Sequence, residues 1–227
     1  MDLPTDLLSA EAQLFFAVGL ALKAEAKGRW TAEMRFEGLR ILPVALRLLE
    51  QFHLENQTCH LIFPDAGACA LAQRDAPAIA CSCSDFASWQ KRQAENQEIS
   101  EHLIVLVAPG PPDYKAVESV CRNHRGPVLL LNGRLEDAAV GIGSVARNRR
   151  KGFLSTWINA YCLQPLVEAV LLHAYPNEWL LFKQTAVGFK QVAVFEQKPA
   201  PGQLDEALND PLGQGLKAID RFLNQLS

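Results

Sequence analysis

The sequence lacks most of the signatures that announce a chemistry. It has no G-x-x-x-x-G-K-[S/T] segment, which excludes a P-loop. Val140-Gly141-Ile142-Gly143 is only a G-x-G fragment, with no third glycine in register and no strand directly before it. It has no H-E-x-x-H, and His53, His60, His102, His124 and His173 include no i,i+4 pair, so a metal site has no support and no cofactor is implied. Ser144 and Ser155 stand in no G-x-S-x-G frame, which excludes a hydrolase elbow. Cysteines are few and scattered: Cys59, Cys69, Cys81, Cys83, Cys121 and Cys162. Only Cys81-Ser82-Cys83 is closely spaced, and one intervening residue is not the gap of a zinc knuckle or a redox pair. Long apolar runs are missing as well. The longest, Leu14 to Leu22, falls far short of the roughly 20 residues a bilayer span needs. Met1 to Ala10 carries Asp2 and Asp6 but no cation, unlike a secretory signal or an Arg-rich transit peptide. Nor is there an excess of positive charge. A net charge of −3 and a pI of about 6.0 give no global attraction to nucleic acid or anionic lipid.

What is present is an ordinary globular composition, 49% hydrophobic and 21% charged over 227 residues. That excludes a disordered chain, a collagen and a coiled coil. A chain of this length buries enough surface to fold without disulfide or metal. The cysteines are therefore expected as small buried hydrophobes in a reducing cytosol. No linker, repeat or low-complexity segment divides the chain. One domain over 1–227 is expected, with a βα part (1–135) and a part of helices, hairpin and C-terminal helix (136–227).

The pattern predicts a helix over Leu7–Lys27, capped by Thr5 or Asp6 and stopped at Gly28. Residues 29–37 alternate, with Trp30, Ala32, Met34 and Phe36 on one side, as in a half-buried strand. Leu39–Phe52 reads as a helix. Short apolar runs without alternation follow at Cys59–Phe63, Pro77–Cys81, His102–Ala108 and Pro127–Leu131, with helical segments between them. Ser84 or Asp85 caps one of these helices and Asp113 another. Such runs indicate a parallel sheet covered on both faces. The expected fold is α/β, a mostly parallel sheet with helices on both faces in a Rossmann-like three-layer arrangement. A C-terminal β-hairpin over Trp179–Gln184 and Phe189–Glu196 is added to it, with helices over 137–151, Leu163–Ala174, Gln203–Asn209 and Leu216–Leu226.

In such sheets ligands sit beyond the carboxyl ends of the strands. Asp65, Asn132, Arg134 and Asp137 lie in turns expected at that edge, and Arg134 offers a planar fork for phosphate or carboxylate. The competing structural role is helix capping by Asp65 and Asp137, with Arg134 paired to one of them. Arg147, Arg149, Arg150 and Lys151 form the one dense basic cluster. It is either a partner-docking patch or a set of cations compensating a helix dipole. With no interleaved aromatics it is not a nucleic-acid site. Trp157, Tyr161, Tyr175 and Trp179 are expected in the core; the alternative is an exposed patch fit for a protein partner.

Several separated motifs occur together and in order: Phe63-Pro64-Asp65-Ala66-Gly67-Ala68, the run Val128 to Asp137 centred on Asn132-Gly133-Arg134, Ala139 to Gly143, Phe153-Leu154-Ser155-Thr156, Tyr175-Pro176-Asn177-Glu178-Trp179 and Phe195-Glu196-Gln197-Lys198-Pro199. With Lys27-Gly28-Arg29, they resemble a domain-of-unknown-function family of cyanobacteria and plastids. That family includes the plant low-photosystem-II-accumulation factor and a domain fused behind a chloroplast adenylate kinase. Gly133 stands where the family motif has proline, which loosens that turn. The resemblance implies a photosynthetic cell and an auxiliary role in assembling or maintaining photosystem II, and the lack of a transit-peptide pattern points to the cyanobacterial cytosol. Its partner would be a photosynthetic protein complex or an assembly intermediate, and the resemblance brings no catalytic residue. A second reading from the residues is a nucleotide- or phosphometabolite-binding domain with its site at the strand edge. A third is peripheral thylakoid contact through Leu14–Leu22, although that run is apolar nearly all round and better suited to burial.

Overall fold

The computed structural model describes residues 1–25, 27–95, 101–135 and 151–209. The strands are β1 (Arg29–Met34), β2 (Cys59–Phe63), β3 (Cys83–Asp85), β4 (Leu103–Val107), β5 (Val128–Leu131), β6 (Ile158–Leu166), β7 (Ala169–Ala174), β8 (Trp179–Thr185) and β9 (Gly188–Phe195). The α-helices are α1 (Leu7–Ala24), α2 (Ile41–Leu54), α3 (Ala66–Asp75), α4 (Phe86–Glu95), α5 (Tyr114–Asn123) and α6 (Pro201–Asn209). The strands form one nine-stranded sheet in the order β3-β2-β4-β5-β1-β6-β7-β8-β9. From β3 to β6 every neighbouring pair is parallel, and β6 to β9 are antiparallel.

Parallel strands need crossovers, and helices on both faces supply them. β2, β4 and β5 are buried along their whole length, which is why their sequences do not alternate. One face holds the larger core: Leu14 and Val18 of α1, Leu48 and Leu49 of α2, and Ala72 of α3, packed on Trp30, Leu61, Val105, Leu129 and Tyr161. The other face holds Phe86 and Trp89 of α4, Val117 and Val120 of α5, and Leu135 and Trp157, packed on Ile62, Ile104 and Leu130. Each such fully buried aliphatic side chain contributes about 1.5–3 kcal/mol. Tyr161 and Trp157 are buried in these two layers, Trp179 is buried in a smaller cluster with Cys162 and Leu171, and Tyr175 is half-buried.

α1 starts with a reciprocal cap: the Ser9 amide donates to the Asp6 carboxylate at 2.8 Å, and Ser9 Oγ accepts from the Asp6 amide at 3.1 Å. By length and composition α1 could cross a membrane, yet Ala10, Leu14, Ala17, Val18 and Ala21 are built into the core. Buried Glu11 of α1 accepts two hydrogen bonds from Arg47 of α2, at 2.8 and 2.5 Å, and clamps the two helices together.

Four local expectations are corrected. Leu163–Ala174 is not a helix but the β6–β7 hairpin, turned at Val167-Glu168 with Glu168 at φ 52°. Pro165 would break a helix interior there, and an apolar run buried on both faces carries no period to distinguish strand from helix. Pro77–Ser82 is a 3-10 turn, and the edge strand follows it as β3. α1 ends at Glu25 in extended backbone, so Gly28 is not its left-handed stop. Gly28 is instead the place where the Trp30 indole nitrogen lies too close for any Cβ. Asp113 does not cap α5 with its side chain but accepts from the Gly110 amide at 2.8 Å. Asp85 does cap α4, accepting from the Ala87 and Ser88 amides, and its carboxyl is held below the usual range chiefly by the Ser88 hydroxyl and amide. The helices expected over 137–151 and Leu216–Leu226 lie outside the described residues, apart from helical residues 151–154.

Candidate binding cleft

The chain leaves β1 towards the face covered by α2, and leaves β5 towards the face covered by Leu135 and Trp157. β1 and β5 are neighbours, so their exits splay apart and open a crevice beyond their carboxyl ends. A cleft of about 560 Å³ occupies that place. It is lined by Met34, Arg35, Phe36, Glu37, Leu39 and Ile41 after β1, by Ala108, Pro109 and Gly110 after β4, and by Asn132 and Arg134 after β5.

Asn132 organises the junction. Its backbone is left-handed, with φ 52°, a conformation asparagine tolerates better than most residues. Its side chain then reads β1 as a further strand residue would: Oδ1 accepts from the Met34 amide at 2.7 Å, and Nδ2 donates to the Met34 carbonyl at 2.8 Å. The Asn132 amide donates to the Ala32 carbonyl at 2.8 Å. The side chain is thus spent on closing the β1–β5 seam and is half-buried.

Two guanidiniums face the cleft with different degrees of freedom. Arg35 is fixed: Nε donates to Glu33 at 3.2 Å, and an Nη donates to the Gly133 carbonyl at 3.0 Å. Glu33 is itself buried. Arg134 is exposed; its amide donates to the Pro109 carbonyl at 2.9 Å, while its side chain makes no hydrogen bond or ion pair among the described residues. The turn carrying Gly133 is therefore pinned from both sides despite the glycine. Leu130 leaves no room for a Cβ at that position.

Of the four residues expected at this edge, Asn132 and Arg134 line the cleft. Asp65 does not: it caps α3, accepting from the Ala68 amide at 2.9 Å. Asp137 lies outside the described residues, as do Arg147, Arg149 and Arg150 of the basic cluster, whose remaining member Lys151 is exposed. Arg35 was not among the residues expected here, because residues 29–37 read as a half-buried strand rather than as a central one ending at the cleft. The available signal was the Glu33–Arg35 pair, two residues apart on one side of a strand whose other side is Trp30, Ala32 and Met34.

Two other polar features differ from this cleft. A hollow of about 460 Å³ at the opposite edge of the sheet includes Glu101, which is paired with Lys27 at 3.4 Å, and His102. On the α4 face, His60 Nε2 lies 2.8 Å from Ser84 Oγ and 3.1 Å from an Arg92 Nη. Arginine can only donate, so this nitrogen accepts and His60 is neutral. Burial, then Arg92 and His102, push its pKa down to about 3. Trp89 packs on the His60 ring at 4.9 Å. Among the described residues no group of three or more His, Cys, Asp or Glu side chains is placed to hold a metal ion.

A protein-family model described as a domain of unknown function, DUF1995, matches residues 4–206. No curated protein matches the chain.

Proposed function

We propose, starting from the premise that this chain belongs to the DUF1995 family, that it is a ligand-binding domain whose cleft takes a small anionic molecule. One observation carries this reading: Arg134, without a side-chain partner among the described residues, lines a cleft at the crevice where the β1 and β5 exits diverge. The cleft's volume lies within the 300–1,000 Å³ common for small-molecule sites. Its chemistry is an apolar wall with a few converging polar groups. Arg35, held by Glu33 and Gly133, is pre-positioned, so less side-chain entropy is lost on binding there. A thermal-shift panel of small anions on the wild type and Arg134→Ala tests the reading. A ligand at about 100 times its Kd adds roughly 2.7 kcal/mol, or some 5–11 °C for a chain of this size. A rise confined to the wild type is expected. A panel without any shift counts against the cleft.

The resemblance to the photosystem II accumulation factor supports a second reading, an auxiliary protein that docks on a photosynthetic complex or assembly intermediate. In its support, α1 leaves Leu8 and Phe16 exposed on the face turned away from the core. Under this reading the protein acts without catalysis, from the cyanobacterial cytosol, with contact at the thylakoid surface. A deletion strain with an unchanged photosystem II complement in growth light and strong light would remove this reading.

A further inference from the structure

We propose that the cleft selects a singly charged carboxylate with an apolar body and disfavours phosphorylated ligands, nucleotides included. The inference rests on the cleft being a binding site at all, and narrows what binds there. The first argument is charge. Arg35 and Arg134 bring two positive charges, but Arg35 is already paired with Glu33, and Glu37 lines the same cleft. A third carboxylate, Asp113, sits behind Gly110. Among the described residues Arg134 is the cleft cation without an ion-pair partner, and three carboxylates already outnumber the two cations, so the cleft suits one added negative charge better than two. A phosphate monoester carries about −1.5 to −2 near neutral pH.

The second argument is the supply of backbone donors. Phosphate sites are built from free amides at helix N-termini and in concave loops. In the loops after β4 and β5 those amides are taken. Gly110 donates to Asp113, Arg134 to Pro109, Ala108 to Leu131, and Asn132 to Ala32. Those loops therefore supply no cradle for the three or four oxygens of a phosphate, and the uncapped first turn of α2 beside Ile41, which loses one amide to Pro43, adds open donors on one side of the cleft alone. A carboxylate needs less: its two oxygens match the planar fork of a single guanidinium. The third argument is the wall. Met34, Phe36, Leu39, Ile41 and Pro109 line the cleft, and Phe36 is 36% exposed, offering a ring face to an apolar body.

Isothermal titration with 4-phenylbutyrate, its uncharged amide, inorganic phosphate and ATP tests this on the wild type, Arg134→Ala and Arg134→Lys. Arg134 is exposed, and urea midpoints confirm that the variants are folded. The expected result is saturable binding of 4-phenylbutyrate, weakened at least tenfold by Arg134→Ala and by the amide. Arg134→Lys, which keeps the charge and loses the fork, falls between. Phosphate or ATP binding that needs Arg134 would overturn the carboxylate selection and leave the cleft reading standing. Equal binding of 4-phenylbutyrate to wild type and Arg134→Ala would overturn the selection as well. No binding by any of the four compounds would overturn both.

Discussion

Asn132→Ala is the sharpest test of how the β1–β5 seam is built. The wild-type side chain satisfies both backbone groups of Met34, a residue with no solvent exposure, through bonds of 2.7 and 2.8 Å. Alanine removes both bonds and leaves a buried N–H and a buried C=O without partners. Each such loss costs about 1–3 kcal/mol. Alanine must also hold φ 52°, where its Cβ adds about 1 kcal/mol. The expected loss is about 4 kcal/mol, above the ordinary range for single substitutions. At 2–4 °C per kcal/mol that lowers Tm by roughly 8–16 °C. Asn132→Gly loses the same bonds but is at ease in the left-handed region, so it should be about 1 kcal/mol more stable than the alanine variant. Asn132→Asp keeps an acceptor for the Met34 amide but sets an anionic oxygen against the Met34 carbonyl, so it should be markedly destabilised too. The assay is urea unfolding followed by tryptophan fluorescence and circular dichroism. A loss under 1 kcal/mol for the alanine variant, or a glycine variant no more stable than alanine, would refute the reasoning.

Further expectations follow from the same structure. Arg47→Ala should destabilise by about 2–3 kcal/mol, because it strands the buried Glu11 carboxylate without its two donors, and Arg47→Met with Glu11→Leu should be milder than the single change; chemical denaturation of the three variants checks this. Burial depresses the pKa of His60, His102, His124 and His173, so the unfolded chain takes up protons first as pH falls below about 6.5. Stability present above that pH should therefore fall on acidification. Between pH 6 and 4 the slope should drop by roughly 1.4 kcal/mol per pH unit in His60→Gln, and an unchanged slope would count against it. All six cysteines are free, but only Cys81 is exposed. A thiol reagent should label that one fast and the rest only on unfolding.

Much of this architecture can be read from the chain. The unalternating runs at Cys59–Phe63 and Pro127–Leu131 mark buried parallel strands, and Asp6 and Asp65 stand where helix starts need an acceptor. The β8–β9 hairpin follows from two apolar segments around a short turn. What the chain does not reveal is where β1 lies. Its Arg29, Thr31 and Glu33 look like a solvent side. In the fold Arg29 donates to Thr156, Thr31 donates to Asn159, and Glu33 is buried beside Arg35. Polar groups paired with other groups inside the fold leave the same sequence pattern as polar groups in water. Once β1 is taken as a half-buried strand, Arg35 cannot be recognised as a cleft residue. Asn132 carries the reverse lesson. Its residue type suggested a ligand contact, while its geometry gives it to the seam.

The chain contains two methionines, Met1 and Met34, and Met34 lines the cleft. Protein labelled with 13C at the methionine methyls therefore yields one reporter packed in the core directly beneath the proposed site and one at the N-terminus. Titration with 4-phenylbutyrate should move the Met34 signal progressively to saturation and leave Met1 in place, and Arg134→Ala should abolish the movement. A Met34 signal that stays fixed while the compound is taken up, or that moves equally in Arg134→Ala, would contradict a ligand site at the carboxyl ends of β1 and β5.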